Sequence, residues 1–309
     1  MSDWLLIGHR SDLSQPNDFI RIPMGARGIV AFNDGGTVIV TDGICPHRGT
    51  NMVDKPFGNA PLTCPYHGWA YHGGKMHIPQ CSKYNSVEVG KARLRQYFTQ
   101  WVGDWLFASE TPGEIVMPAK LRELLESIVI TSRRHFDSMT IACDWRVAVE
   151  NALEDLHVPM IHRDSIGKIG IERQAMERFG ASSIALYKVT DKRTQMSLTK
   201  LAEHFDNVNP EEYFHLFLYP HTCLSSVGGV TYSLQHYMPS AGWTNFSTRL
   251  YVGAVRPEAP NYNWFYDEAR KFNDLVFRQD ADICAKVQDW GHALSEDEQR
   301  VRWFREAQA

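Results

Sequence analysis

Two short loops constrain this chain more than anything else in it. Sixteen residues separate Cys45-Pro46-His47-Arg48-Gly49 at its His47 from Cys64-Pro65-Tyr66-His67-Gly68-Trp69 at its Cys64. Each loop offers one thiol and one imidazole. Two thiolates and two imidazoles can hold a [2Fe–2S] cluster, with the sulfurs on one iron and the imidazoles on the other. Neutral imidazole carries less negative charge than thiolate, so such a cluster has a higher potential than an all-cysteine one. Pro46 and Pro65 stiffen the loops, while Gly49 and Gly68 permit tight turns whose amides can face cluster sulfurs. A structural zinc site is the competing reading. Zinc sites usually pair Cys with Cys and His with His, and the mixed loops here depart from that habit.

The remaining composition narrows the class. Six cysteines in 309 residues are too sparse for a disulfide scaffold, so thiols or metal ligands in a reducing cytoplasm are expected. A net charge of −4 gives no support for a nucleic-acid partner. No apolar run is long enough for a membrane span, and the N-terminus lacks the pattern of a secretory signal. The length suits about two domains.

The first part, residues 1–110, reads as strands and turns, with strands at Phe19–Pro23, Gly28–Asn33 and Thr37–Thr41 and a closing strand at Trp101–Phe107. Ser109-Glu110-Thr111-Pro112-Gly113 reads as a linker. In residues 111–309, helical patterns cover Cys143–His162 and Tyr262–His292. Strands are expected at Phe214–Tyr219, Val230–Met238 and Thr244–Val252, which makes the second part α+β. Arg163–Asn209 is charged and weakly periodic, and reads as a lid or loop.

A second constellation lies on these helices. His157 and His162 are five residues apart, which on an unbroken helix sets their rings ~140° apart. Pro159 cannot continue that helix without losing a hydrogen bond. The helix is therefore expected to end near His157, with His162 returning from the turn. Two imidazoles and one carboxylate bind non-haem Fe(II) on one face and leave positions open. Asp280 is the expected carboxylate. It falls within the apolar stripe Phe272, Leu275, Val276, Ile283 and Val287, whereas Asp274, Asp282 and Asp289 fall off it. A lone carboxylate on a buried face is costly unless it is paired or binds metal.

Taken together, C-x-H with C-P-Y-H-G-W, D-W-R with E-N-x-x-E-x-x-H-x-x-x-x-H, and Q-D-x-D-I-C-x-x-V-Q resemble the catalytic α subunit of Rieske non-haem iron oxygenases. The resemblance covers the chain from about Cys45 to Gln288. It implies an all-β Rieske domain carrying a cluster on Cys45, His47, Cys64 and His67. A helix-grip catalytic domain would follow, with iron on His157, His162 and Asp280. No Cys stands at Arg48–Thr50 or Tyr66, which is similar to the ferredoxin and oxygenase branch rather than respiratory Rieske proteins.

The resemblance further implies a head-to-tail homotrimer in which a carboxylate links cluster and iron sites. That role falls to Glu154, three residues before His157, with Asp155 as the competitor and Asn151 near the iron. The reaction implied is hydroxylation or oxidative demethylation of a small organic substrate by O₂. A separate reductase or ferredoxin would pass on electrons from NAD(P)H. Nucleic acid and membrane are not expected partners. The Y-H-G-W loop followed by Ile78-Pro79 is similar to aromatic demethylases, and the E-N-x-x-E-x-x-H run to quaternary-ammonium oxygenases. A ring-hydroxylating dioxygenase, or a Rieske electron-transfer protein without oxygenase activity, is the alternative. Pocket candidates are His215, Tyr219, His221, Tyr232, His236 and Tyr237.

Overall fold

The computed structural model describes residues 4–24, 28–259, 263–290 and 294–309. The chain divides into two compact units, one of Leu6–Ile115 and the other of Val116–Ala309 together with Trp4 and Leu5.

The first unit is built from short strands: β1 (Leu5–His9), β2 (Asp18–Ile22), β3 (Ile29–Asp34), β4 (Thr37–Asp42), β5 (Phe57–Asn59), β6 (Ala70–His72), β7 (Lys75–His77), β8 (Phe98–Val102) and β9 (Trp105–Ser109). They form sheets β1-β9-β8, β4-β3-β2-β5 and β6-β7, with one short helix, α1 (Ser86–Lys91). Strands β2, β3 and β4 follow the β-branched runs seen in the sequence, whereas β1 is not among the expected strands. The expected single closing strand at Trp101–Phe107 is instead a hairpin. Gly103, at φ +56°, turns the chain between β8 and β9. The side chain of Trp105 is fully buried, as are Leu106 and Phe107, so an unbroken apolar run concealed the turn. Ser109, expected in a linker, closes β9.

The second unit holds a seven-stranded antiparallel sheet of order β10-β16-β15-β14-β13-β12-β11. Its strands are β10 (Ile130–Ile141), β11 (Ile171–Phe179), β12 (Ser182–Val189), β13 (Glu212–Leu218), β14 (Thr222–Val227), β15 (Thr231–Ser240) and β16 (Trp243–Gly253). Arg163–Asn209 is thus not a loop. It contributes two paired strands and two helices. Side chains alternate across a strand, and on β11 and β12 the outward positions carry Glu172, Gln174 and Lys188, which masks the pattern.

The helices are α2 (Ala119–Ser127), α3 (Trp145–Leu153), α4 (Val158–Ile161), α5 (Ile166–Ile169), α6 (Lys192–Leu201), α7 (Asn263–Cys284) and α8 (Gln299–Gln308). Asp144 caps α3, accepting from the Arg146 amide at 2.9 Å. The apolar side chains of α3 pack with Phe217, Phe246, Phe277 and Phe304 from the sheet, α7 and α8. Asn273 ties α7 to the sheet: Ser233 Oγ donates to its Oδ1 at 2.9 Å and its Nδ2 donates to Thr248 Oγ1 at 3.3 Å.

Two helical expectations need correction. The pattern over Cys143–His162 is two helices. α3 stops at Leu153, because Glu154 turns extended (φ −119°, ψ 165°) and caps the following turn. Its carboxylate accepts from the amides of Leu156 and His157. Pro159 does not terminate a helix but sits in the first turn of α4, where its missing N–H is harmless. The C-terminal pattern condenses to Asn263–Cys284; Tyr262, Gly291 and His292 of the expected span lie outside the described residues. Within it, Leu275 is 43% exposed, and Val287 is 40% exposed beyond the helix end. Both therefore fall off the buried stripe, which runs through Tyr266, Asn273, Val276, Phe277 and Cys284.

Candidate functional site

The two Cys-His loops fold alike. In the first, the Cys45 amide donates to Thr50 O at 2.8 Å and the Gly49 amide to Cys45 O at 3.0 Å. In the second, the Cys64 amide donates to Trp69 O at 2.8 Å and the Gly68 amide to Cys64 O at 3.0 Å. Gly49 (φ +74°) and Gly68 (φ +69°) hold the left-handed corner that each loop requires. Cys45 and Cys64 are buried free thiols. Burial pushes the Cys45 thiol up, against hydrogen bonds from the His47 and Arg48 amides.

The rings of His47 and His67 lie with centroids 4.6 Å apart. Trp69 stacks on His47 at 4.6 Å and 6°, and Tyr66 stacks on His67 at 3.8 Å. Among the described residues, Nδ1 of each imidazole is buried without a protein partner. Buried polar atoms are rarely left so. Two such nitrogens beside two buried thiols fit the donor set of a His₂Cys₂ [2Fe–2S] cluster.

In the second unit, donor atoms of His157, His162 and Asp280 all lie within 4.8 Å of one another. The imidazole centroids are 4.9 Å apart and inclined at 69°. Asp280 Oδ1 is 2.9 Å from His162 Nε2 and 3.5 Å from His157 Nε2. His157 and His162 flank the single turn of α4 as its N-cap and C-cap, so the two rings meet across one helical turn whose last residue, His162, has left helical geometry (φ −100°, ψ 23°). Two imidazoles and a carboxylate converging through Nε2 and Oδ1 fit non-haem iron.

The two imidazoles are held from behind, and Asp280 is bonded on the oxygen that faces them. Glu154 Oε1 hydrogen-bonds His157 Nδ1. Gln279 Oε1 accepts from His162 Nδ1 at 3.0 Å and from Ser165 Oγ at 2.7 Å. Asn151 Nδ2 donates to Asp280 Oδ1 at 2.8 Å. These bonds place the ring protons on Nδ1 and leave Nε2 facing the centre. Burial works against the charged form of His157, but Asp280 and Glu154 overcome it and raise the imidazole to about 9. Burial likewise opposes the Asp280 carboxylate, and the two imidazoles hold it down at about 2.

Asp155 does not touch the triad histidines, although it lines the cavity beside them. It pairs with Arg173 Nη1 at 3.3 Å, and Arg173 also binds Asp297. A cavity of about 530 Å³ opens beside the triad between α7 and one face of the sheet. Of the pocket candidates, His215 and Tyr237 line it. Tyr219, His221, Tyr232 and His236 do not. His221 packs edge-on against Trp145, and the Tyr219 hydroxyl bonds Ala307 O on α8. Tyr187 and Tyr213 line the cavity and were not foreseen, since Tyr187 comes from the unassigned segment. Gln279 stands in the Q-D-x-D run, but nothing in that run marks its role; Ser165 and Arg300 had no sequence signal.

Known proteins agree with this architecture. Residues 3–96 match the Rieske [2Fe-2S] domain, and residues 128–302 match the ring hydroxylating alpha subunit (catalytic domain). The oxygenase subunit of carnitine monooxygenase from Escherichia coli K12 is 25% identical over 183 residues, covering 55% of this chain and 48% of that protein. The alpha subunit of benzene 1,2-dioxygenase from Pseudomonas putida is 26% identical over 170 residues, 50% of this chain and 37% of that one. The chain therefore aligns with half or less of the length of these relatives. A crystal structure of a quaternary ammonium Rieske monooxygenase with L-carnitine superposes with TM-score 0.75 at 15% identity, over 99% of this chain and 88% of that one. Naphthalene 1,2-dioxygenase from Rhodococcus sp. gives 0.66 at 15% identity, over the same shares.

Proposed function

Because the chain belongs to the family of ring-hydroxylating alpha subunits, we propose that it is the oxygenase component of a Rieske system. It uses O₂ and reductase-supplied electrons to hydroxylate or oxidatively demethylate a small organic molecule. The observation that carries this is the His157–His162–Asp280 cluster beside a cavity of about 530 Å³. A Rieske electron-transfer protein has no use for either feature.

Cys45, His47, Cys64 and His67 would hold the cluster, and His157, His162 and Asp280 the iron. When bound, the cluster supplies electrons singly and the iron supplies the redox centre for dioxygen reduction. The protein's part is positioning. Glu154 and Gln279 each hold an imidazole in one tautomer, and Asn151 restrains the carboxylate that faces both rings. Restrained in this way, the three ligands stay on one face and leave the cavity side open to substrate. Phe265, Phe272 and Phe277 on α7, with Tyr237 on β15, give that side an apolar wall that sheds water.

Glu154 is also the proposed link between cluster and iron in a head-to-tail homotrimer. Its contact with His157 supports it over Asp155, which Arg173 engages. A separate reductase or ferredoxin completes the system. No helix among the described residues is long and apolar enough to cross a membrane. We place the protein in a reducing cytoplasm, which six free cysteines favour.

The test is a panel of aromatic and quaternary-ammonium substrates with a surrogate reductase, scored by oxygenated or demethylated product. Product that depends on O₂ and disappears in Asp280→Ala supports the reading. Electron transfer through the protein with no product from any substrate, and the same rate in Asp280→Ala, overturns it.

A further inference from the structure

Arg300 on α8 is an unusual charge. It is 2% exposed, yet among the described residues its guanidinium has no carboxylate partner. Nε donates to Ser183 Oγ at 3.0 Å, Nη2 to Ser183 O at 3.3 Å, and Nη1 to His215 Nδ1 at 3.1 Å. Asp155 acts on it only through space, its direct ion pair being with Arg173. A buried cation without a directly paired carboxylate is expensive, and burial works against the charged form of Arg300.

The bond to His215 has a definite chemical consequence. A guanidinium has donors and no acceptor. His215 Nδ1 must therefore accept through its lone pair, and the ring proton sits on Nε2. Burial, and then the charge of Arg300, hold His215 well below the usual histidine range, so the ring stays neutral. His215 lines the cavity beside the triad, and among the described residues its Nε2 has no protein partner. Antiparallel pairing sets Ser225 opposite His215 and Tyr187 opposite Tyr213, and all four line the same cavity. What this wall presents is one fixed N–H donor backed by a buried positive charge. The complementary group is an anionic oxygen.

We propose that Arg300 and His215 form a carboxylate-recognition subsite, in which His215 Nε2–H donates to a substrate carboxylate while Arg300 fixes the tautomer and supplies the charge. His215 touches the substrate; Arg300 acts through it. The proposal rests on the reading of this cavity as the substrate pocket, and it narrows the substrate to an organic acid. An aromatic acid and an aliphatic ammonium acid share that chemistry.

Two matched pairs separate them. Binding is measured by anaerobic titration calorimetry on the metal-loaded protein, with benzoate against benzamide and 4-(trimethylammonio)butanoate against its amide. In the wild type, the acid of one pair should bind about tenfold or more tighter than its amide, the span of a charge-assisted hydrogen bond. Which pair shows it identifies the scaffold. His215→Phe keeps a ring but removes both nitrogens, and should abolish the preference. His215→Gln keeps one acceptor for Arg300 and one donor for the ligand, and should restore most of it. A purely structural Arg300–His215 contact would weaken acid and amide alike.

The proposal is overturned if acid and amide bind equally in both pairs, if neither pair binds, or if the preference survives in His215→Phe. Should His215→Phe not fold, the wild-type ratio and its retention in His215→Gln decide the matter. Iron content and cluster absorbance are read on the same samples. Full metal loading without an acid preference removes the subsite and leaves the oxygenase reading standing, whereas a missing mononuclear iron removes that reading.

Discussion

Replacing Glu154 by Gln should change how the iron site responds to pH. Without metal, burial disfavours the His157 imidazolium, and Asp280 and Glu154 together lift the imidazole from 6.5 to about 9. That rise corresponds to roughly 3 kcal/mol favouring the proton. A metal ion must displace that proton, so apparent affinity in wild type should climb about tenfold per pH unit and level off near pH 9. Folding stability of the metal-free protein has the matching sign. The stabilisation is full below pH 6.5 and is lost as pH rises through about 9.

Gln still accepts from Nδ1 but brings no charge. If Glu154 supplies roughly half of the lift, Glu154→Gln should level off about one unit earlier. Intrinsic affinity should also drop about 10- to 100-fold, as for other groups that orient a metal-bound histidine. The assay is Co(II) competition against a chelator from pH 6 to 9, with cluster absorbance as the control because Cys45 and Cys64 belong to the other unit. An unchanged levelling point, or loss of both metal centres together, would refute the reasoning.

Other substitutions test the remaining supports. Gln279→Leu removes the acceptor shared by His162 and Ser165, and should cost about 1–3 kcal/mol in denaturant unfolding along with mononuclear iron. Glu150→Ala removes the carboxylate to which Arg305 donates at 2.8 and 2.6 Å, and should cost about 1.5–3 kcal/mol, read as a lower denaturation midpoint. Cys45→Ser should abolish the visible absorbance of the cluster while one iron per chain remains by elemental analysis, about one in place of three.

What could be read from the sequence followed the distance between partners. The Cys-His loops are local, so ligand chemistry and loop shape both show in a few residues. His157 and His162 are nearly as local, but Pro159 misplaced the break: the chain leaves α3 at Glu154, before both histidines, and Pro159 lies within the turn α4 that joins them. Asp280 was singled out by a stripe that proved only partly buried. Its neighbours Val276, Phe277 and Cys284 do face inward, but Leu275 does not. The charged outer faces of β11 and β12 hid two strands, because solvated charges obscure alternation. Arg300 was beyond reach, since its partners His215 and Ser183 lie 85 and 117 residues away on β13 and β12, and only the docking of α8 against those strands brings it to them. A buried arginine and a surface one look identical in sequence.

Iron stoichiometry tests the central claim most directly. Anaerobically reconstituted protein should hold about three irons per chain, two in the cluster and one on His157, His162 and Asp280, and Asp280→Ala should hold about two with unchanged cluster absorbance. About two irons in both proteins would contradict the account and leave an electron carrier in its place.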